Sequence, residues 1–225
     1  MFGGRGRLPV LAEVSGSVAA DRPWALSRHD FEALSKVRER VDGRRVLLVT
    51  GVDGAARTLA VCLAALASAS GRRTVLVDCD LERSALAGEL GLAPAPGVHE
   101  YLRWEATPAQ ILQPLALAGP ASATASEPLV FVAAGRPAAD PATLLGLQSF
   151  RHMSAKLRNA YELVVVAGPP PGSGGGALTT LAAEADAVLA GIEPSQAERR
   201  PRRALGSALR RLGPAPLGAV VVQRS

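Results

Sequence analysis

Two stretches of the chain hold side chains whose types and spacing could do chemistry. In "TVLVDCDLERS", Asp78 and Asp80 stand two positions apart in a segment that reads as extended, with Arg83 three residues further on. Alternate residues of a strand share a face, so the two carboxylates point the same way. Paired hard oxygens of this kind suit a magnesium ion or the activation of its bound water. The plainer alternative is a solvated turn in which Asp80 caps the next helix. In "VLLVTGVDGAART", residues 46 to 58, an apolar run meets a glycine-bearing segment, as in a phosphate loop. Such a loop aims backbone amides at an anion. Its glycines permit close approach, a lysine meets the terminal phosphates and a Ser or Thr holds the metal.

Neither register of that motif is intact. The spacing G-x-x-x-x-G-K-[ST] starts at Gly51, runs through Gly54 and Ala55, sets Ala56 on the second glycine and Arg57 on the lysine, and keeps Thr58. Counted back from the helical "TLAVCLA", Ala56 falls on the lysine and Arg57 on the magnesium ligand. The competing reading is an ordinary strand-to-helix turn. A third stretch, "YELVVVAGPPPGSGGGAL", is a buried strand that exits into a Pro/Gly loop suited to sensing a nucleotide. In phosphate-loop enzymes a strand of this kind carries a magnesium-directed Asp. Here Ala167 and Gly168 stand there. The candidate site is therefore Gly51, Gly54, Ala55, Ala56, Arg57, Thr58 and Arg83 toward ATP or ADP. Thr58, Asp78 and Asp80 face a weakly held Mg²⁺, and the two aspartates are the catalytic groups of any surviving activity.

These residues need a scaffold. "RVLLVT", "TVLVDC", "LVFVAA", "ELVVVA", "AVLAGI" and "LGAVVV" are apolar runs of strand length separated by helix-compatible segments. Continuous rather than alternating runs mark strands buried on both faces. The expectation is an α/β fold with a doubly wound, mainly parallel sheet flanked by helices. A length of 225 residues with 48% hydrophobic content fits one such domain, over residues 23 to 225, after a flexible lead over residues 1 to 22. Within or beside that lead, "LPVLAEV" reads as an edge strand, and "RHDFEALSKVRERV" as a helix from Asp30. Residues 118 to 128 read as a low-complexity surface loop.

Composition narrows the classes. No apolar run reaches the roughly 18 residues of a membrane span, and the start lacks a signal peptide's apolar stretch, so a cytoplasmic location is expected. Cys62 and Cys79 form neither a disulfide framework nor a metal spacing and read as core residues. His29, His99 and His152 are too scattered for a ligand set. The net charge of +5 comes almost wholly from arginine, with lysine only at Lys36 and Lys156. It permits contact with nucleic acid or anionic membrane without requiring it. Trp104 marks either packing or a contact surface.

Taken together, the segments resemble the deviant P-loop ATPases of the MinD/ParA superfamily. In particular they are similar to the bacterial tyrosine kinase domain that accompanies chain-length regulators of capsule and exopolysaccharide synthesis. "TVLVDCDLERS" matches that family's V-L-L-I-D-x-D-x-R-R-P, and "GRPAADPATLL" its G-x-x-P-x-x-P-x-E-L-L. "YELVVVAGPP" matches Y-D-x-V-I-I-D-T-P-P, and "GAVVVQ" the last strand, G-V-V-L-N. The resemblance spans about residues 7 to 223 and implies a P-loop NTPase-like fold, with Gln223 where an asparagine lies near the base.

The departures fall on the chemistry: the lysine, the second acidic strand's Asp, the middle arginine of E-x-x-R-x-x-R (Glu32, Ser35 and Arg38 here) and the terminal tyrosine cluster. The resemblance implies a degenerate regulator of polysaccharide synthesis or export. Its partner would be a membrane chain-length or co-polymerase protein, or an active paralogue. Homo-oligomers are compatible with this, and nucleic acid is not the expected partner. It would be cytoplasmic, held at the inner face of the membrane through that partner. Two alternatives remain: an active kinase using Arg57 as a lysine surrogate, and a positioning ATPase contacting DNA or membrane through residues 198 to 213.

Overall fold

The computed structural model describes residues 8–15, 24–25, 27–118, 128–173 and 176–223. In chain order the elements are β1 (Val10–Ser15), β2 (Trp24–Ala25), α1 (Arg28–Val41), β3 (Val46–Gly51), α2 (Asp53–Ala69), β4 (Thr74–Asp78) and α3 (Leu86–Glu89). There follow α4 (Val98–Leu102), α5 (Pro108–Ile111), β5 (Leu112–Leu115), β6 (Leu117–Ala118), β7 (Leu129–Val132), α6 (Pro141–Leu145) and α7 (Gln148–Ala160). The last are β8 (Leu163–Ala167), α8 (Ala177–Ala183), β9 (Ala187–Ile192), a 3₁₀ turn (Pro194–Gln196), α9 (Arg199–Arg210) and β10 (Pro216–Gln223).

All six apolar runs are strands. They lie in one eight-stranded sheet of order β1-β10-β9-β3-β8-β4-β7-β5. Every pairing in it is parallel except β5 against β7. β5 carries Gln113 and Pro114, which hid it from a reading based on apolar runs. Its antiparallel edge position suits proline, which lacks a ladder donor.

β3, β4, β8 and β9 are buried along their whole length, as two covered faces require. Alternate residues feed two cores. Leu47, Val49, Leu76 and Val165 pack with Leu34, Val37 and the small apolar residues of α2. Leu48, Val75, Val77 and Val166 pack with Tyr101, Phe150, Met153 and Leu181. Cys62 lies in the first core and Cys79 in the second, both free thiols, and burial pushes both upward from the ordinary cysteine range.

The edge strand read from "LPVLAEV" is present as β1, parallel to β10. The helix after it begins at Arg28, two residues earlier than Asp30. Ser27 is the N-cap, its hydroxyl accepting the Asp30 amide at 3.0 Å. Asp30 is 2% exposed, and its carboxylate also accepts the Ser15 amide at 2.8 Å, tying β1 to the helix. Of the flexible lead, residues 1–7 and 16–22 lie outside the described residues, as do residues 119–127 of the surface loop. Among the described residues no helix is long and apolar enough to cross a membrane.

Candidate functional site

The parallel strands β3, β4, β8 and β9 end on one edge of the sheet, where open α/β sheets bind ligands. Between β3 and α2 there is a single residue, Val52. Gly54, Ala55 and Ala56, read as loop residues, form the first turn of α2 instead. The tight passage depends on two glycines. Gly51 has φ +143°, and a Cβ there would sit 2.0 Å from the Gly191 carbonyl oxygen. A Cβ on Gly191, near the end of β9, would sit 2.6 Å from both the Ala55 oxygen and the Ala56 Cα. The Val52 amide donates to the Gly191 carbonyl at 3.1 Å. Backbone from β3, β9 and α2 therefore meets where a phosphate loop would arch.

Arg57 follows on α2. Its Nε and one terminal nitrogen donate to Glu89 Oε1 of α3 at 2.8 and 2.5 Å. The side chain is only 17% exposed. Burial pulls the guanidinium pKa down, but the Glu89 pair and the nearby charges of Asp78 and Asp80 outweigh it and hold it above its ordinary value. Arg57 is a permanent cation within electrostatic reach of both aspartates. Thr58, next on the helix, is buried.

Asp78 ends β4 opposite Ala167 of β8, and the Cys79 amide donates to the Ala167 carbonyl at 2.8 Å. The Asp80 amide donates to Asp78 Oδ1 at 3.1 Å. Asp78 is 1% and Asp80 5% exposed, so this turn is not a solvated one, and the N-cap of α3 is Ala85 rather than Asp80. Asp78 Oδ2 and Asp80 Oδ1 are buried without a hydrogen-bond partner among the described residues. Burial pushes the Asp78 carboxyl up to about 7, Asp80's charge adding to the rise, against the amides of Asp80 and Leu86 and the charge of Arg57. Burial also raises Asp80, opposed by Arg83 and Arg57. Buried, unpartnered carboxylates are costly to keep and mark functional sites more often than structural ones.

The other predicted residues fall as follows. Arg83 is exposed in the turn after Asp80, whose backbone oxygen accepts its amide at 3.3 Å. Ala167 and Gly168 leave the second strand without an acid. Gly168 donates to the Val49 carbonyl at 2.8 Å, and the Thr50 hydroxyl to the Pro169 carbonyl at 2.6 Å, binding the start of the Pro/Gly loop to β3. Residues 174–175 of that loop lie outside the described residues. Gln223 is exposed at the end of β10, separated from β3 by β9, with Ser15 as its strand partner. Residues 51 to 58, Asp78, Asp80, Arg83 and Gln223 all lie at or just past the carboxyl ends of parallel strands, Gln223 two strands away from β3.

Sequence reasoning missed Glu89 and Gly191. Small residues in "AGIEPS" hint at Gly191, but nothing local marks Glu89 as Arg57's partner. Trp104 is 77% exposed with φ +63°, so the packing reading fails for it. Among the described residues no group of three or more His, Cys, Asp or Glu is placed to hold a metal.

No protein-family model and no curated protein matches the sequence. Solved structures do match in three dimensions. The kinase domain of the Escherichia coli tyrosine kinase ETK superposes with a TM-score of 0.79 at 18% identity, over 96% of this chain and 90% of that one. The VpsO kinase domain gives 0.68 at 24% identity, over 87% and 90%. The septum site-determining protein MinD of Pyrococcus horikoshii, solved with Mg-ADP, gives 0.59 at 17% identity, over 79% and 69%. The chain therefore has the P-loop ATPase-like fold shared by bacterial tyrosine kinase domains and MinD.

Proposed function

We propose that the chain is a degenerate P-loop protein, regulating the synthesis or export of a bacterial surface polysaccharide with weak or no ATP hydrolysis. It acts through a membrane chain-length protein or an active paralogue. The observation that carries the loss of hydrolysis is the start of α2. Ala56 cannot serve as the phosphate lysine, and Arg57 is drawn sideways onto Glu89. A charge-assisted contact to phosphate is worth about 1.5 to 3 kcal/mol, and each 1.4 kcal/mol is about tenfold in rate. Loss of both the lysine and the acid at Ala167 removes several powers of ten in turnover. The same Arg57–Glu89 pair argues against the lysine-surrogate reading, because a surrogate must reach into the loop. The fold of the kinase domains, shared over nearly the whole chain, supports the polysaccharide context over the positioning-ATPase reading.

Two measurements test it. Purified chain should turn over ATP no faster than its Asp80→Asn variant. A strain lacking the chain should make surface polysaccharide of altered length, restored equally by wild type and by Asp80→Asn. Turnover well above the variant, or restoration by wild type alone, would sink the reading.

A further inference from the structure

The amino edge of the sheet, opposite the candidate site, concentrates positive charge. Arg44 and Arg45 precede β3, Arg72 and Arg73 precede β4, and Arg158 lies in the last turn of α7 before β8, on strands that run side by side in the order β9-β3-β8-β4. Against these five arginines stand Glu162 and Asp186, which leaves a local excess of three positive charges. The ends of α1, α7 and α8 beside them add Arg38, Arg40 and Lys156 but also Glu39, Asp42 and Glu184, so the excess is unchanged. Most of the arginine hydrogen bonds end on carbonyls: Arg44 on that of Asp186, Arg45 on that of Arg158, and Arg72 on those of Arg44 and Glu162. A carbonyl fixes a guanidinium without cancelling its charge, and each guanidinium has further N–H donors to give. Of the five, only Arg158 meets a carboxylate side chain among the described residues, that of Asp186 at 3.0 Å. Arg45 and Arg73 are exposed, Arg44 and Arg72 half-buried. Arg38 and Arg72 also share the lining of a shallow depression whose other walls are apolar, among them Val41, Leu47, Leu66 and Leu163.

We propose that this edge is a docking face for an anionic lipid bilayer, its fixed arginines meeting headgroup phosphates. Guanidinium groups suit phosphate oxygens, and clustered arginines are drawn to an anionic leaflet. Three features select a bilayer over nucleic acid. The arginines spread across the starts of adjacent strands, about 4.8 Å apart, so they form a patch rather than a line tracking a phosphate backbone. Tyr161, the aromatic residue among them, packs against the second core instead of presenting its ring to a base. The apolar depression beside Arg38 and Arg72 suits an amphiphile, which pairs an anionic head with an apolar body. The inference goes beyond the functional reading. That reading brings the chain to the membrane through a protein, whereas here the chain meets lipid itself.

The test is co-sedimentation of the full chain with vesicles of phosphatidylcholine, alone or mixed with phosphatidylglycerol, with circular dichroism melts to confirm folding. Wild type should bind the mixed vesicles only, and should lose at least about tenfold in affinity between about 0.05 M and about 0.5 M salt, which screens exposed charge. Arg45→Gln/Arg73→Gln should bind at least about tenfold more weakly, while Arg45→Lys/Arg73→Lys, which keeps the charge, should stay within about twofold of wild type. Arg200→Gln/Arg203→Gln removes the same charge from the exposed face of α9 and should also stay within about twofold. Arg73→Gln alone keeps the test readable if the double variant does not fold, because the bonds of Arg73 among the described residues are made by its backbone. It should weaken binding about fivefold. Equal binding to both vesicle types, binding to neither, or an α9 variant as weak as the amino-edge one overturns the proposal. So does tighter binding to duplex DNA that is lost with Arg45 and Arg73, which would reassign the face to nucleic acid. Neither polysaccharide nor ATP turnover is read, so failure here is separable from failure of the functional reading.

Discussion

The two ends of the same sheet treat their carboxylates in opposite ways. At the amino end, Asp186 Oδ2 accepts the amides of Arg45 and Val46, both at 2.8 Å, and its Oδ1 accepts Arg158 at 3.0 Å. Glu162 accepts the Arg73 amide at 2.8 Å. Arginines close the rest of that edge: Arg44 donates to the Asp186 carbonyl, Arg72 to those of Arg44 and Glu162, and Arg158 to that of Glu184. At the carboxyl end, Asp78 and Asp80 each keep a buried oxygen without a partner among the described residues, and Arg57 is bonded to a third acid, Glu89. Arginine and carboxylate at one edge staple strand ends. At the other, a buried oxygen of each aspartate lies outside any such staple among the described residues.

The opposition extends to pH. Burial acts against Asp186, but the amides of Val46 and Arg45 and the Arg158 contact win and hold its pKa below the ordinary range. Its contribution to stability is present above the unfolded value, about 3.9, and is lost as pH falls through the lower folded value. Asp78, pushed up to about 7, has the reverse sign. Its native form binds a proton more readily than the unfolded chain, so its contribution is full below about pH 4 and is lost as pH rises through about 7.

Substitutions can break or sharpen this comparison. The largest effect is expected at Gly51→Ala, because the new Cβ meets the Gly191 oxygen at 2.0 Å and φ is positive. Denaturant unfolding should show a loss of about 3 kcal/mol. A loss under 1 kcal/mol would mean that β3, β9 and α2 are not locked together. Next comes Asp186→Ala, which strands two strand-end amides and Arg158, for a loss of about 2 kcal/mol at pH 8 that shrinks below about pH 4. Smallest, and opposite in sign, is Asp78→Asn. It removes a carboxylate whose charged form burial disfavours and should gain about 1 kcal/mol at pH 8, with the stability slope between pH 5 and 8 flattened. Were Asp78→Asn to destabilise the chain as Asp186→Ala does, the aspartate would be a staple and the two edges would not differ.

Much of the scaffold was legible because its signals are local. Six strands announced themselves as continuous apolar runs, since a strand covered on both faces has no solvent side to alternate with. β5 did not, because an edge strand tolerates the Gln and Pro that erase the pattern. Asp78 and Asp80 were legible as a pair from their spacing, whereas the loop admitted two registers, with Arg57 on the lysine in one and on the metal ligand in the other.

What the sequence by itself determined, then, was the parallel sheet, the edge at which its strands end, and the residue types delivered there. Tertiary structure decided which groups those residues meet. Arg57 meets Glu89 across 32 positions, and Gly51 meets Gly191 across 140, both because the strand order places β9 beside β3 and α3 beside the end of β4. A charge's role depends on what surrounds it. The same aspartate is a solvated cap when water reaches it, a staple when strand amides point at it, and a costly buried charge when one oxygen has no partner among the described residues.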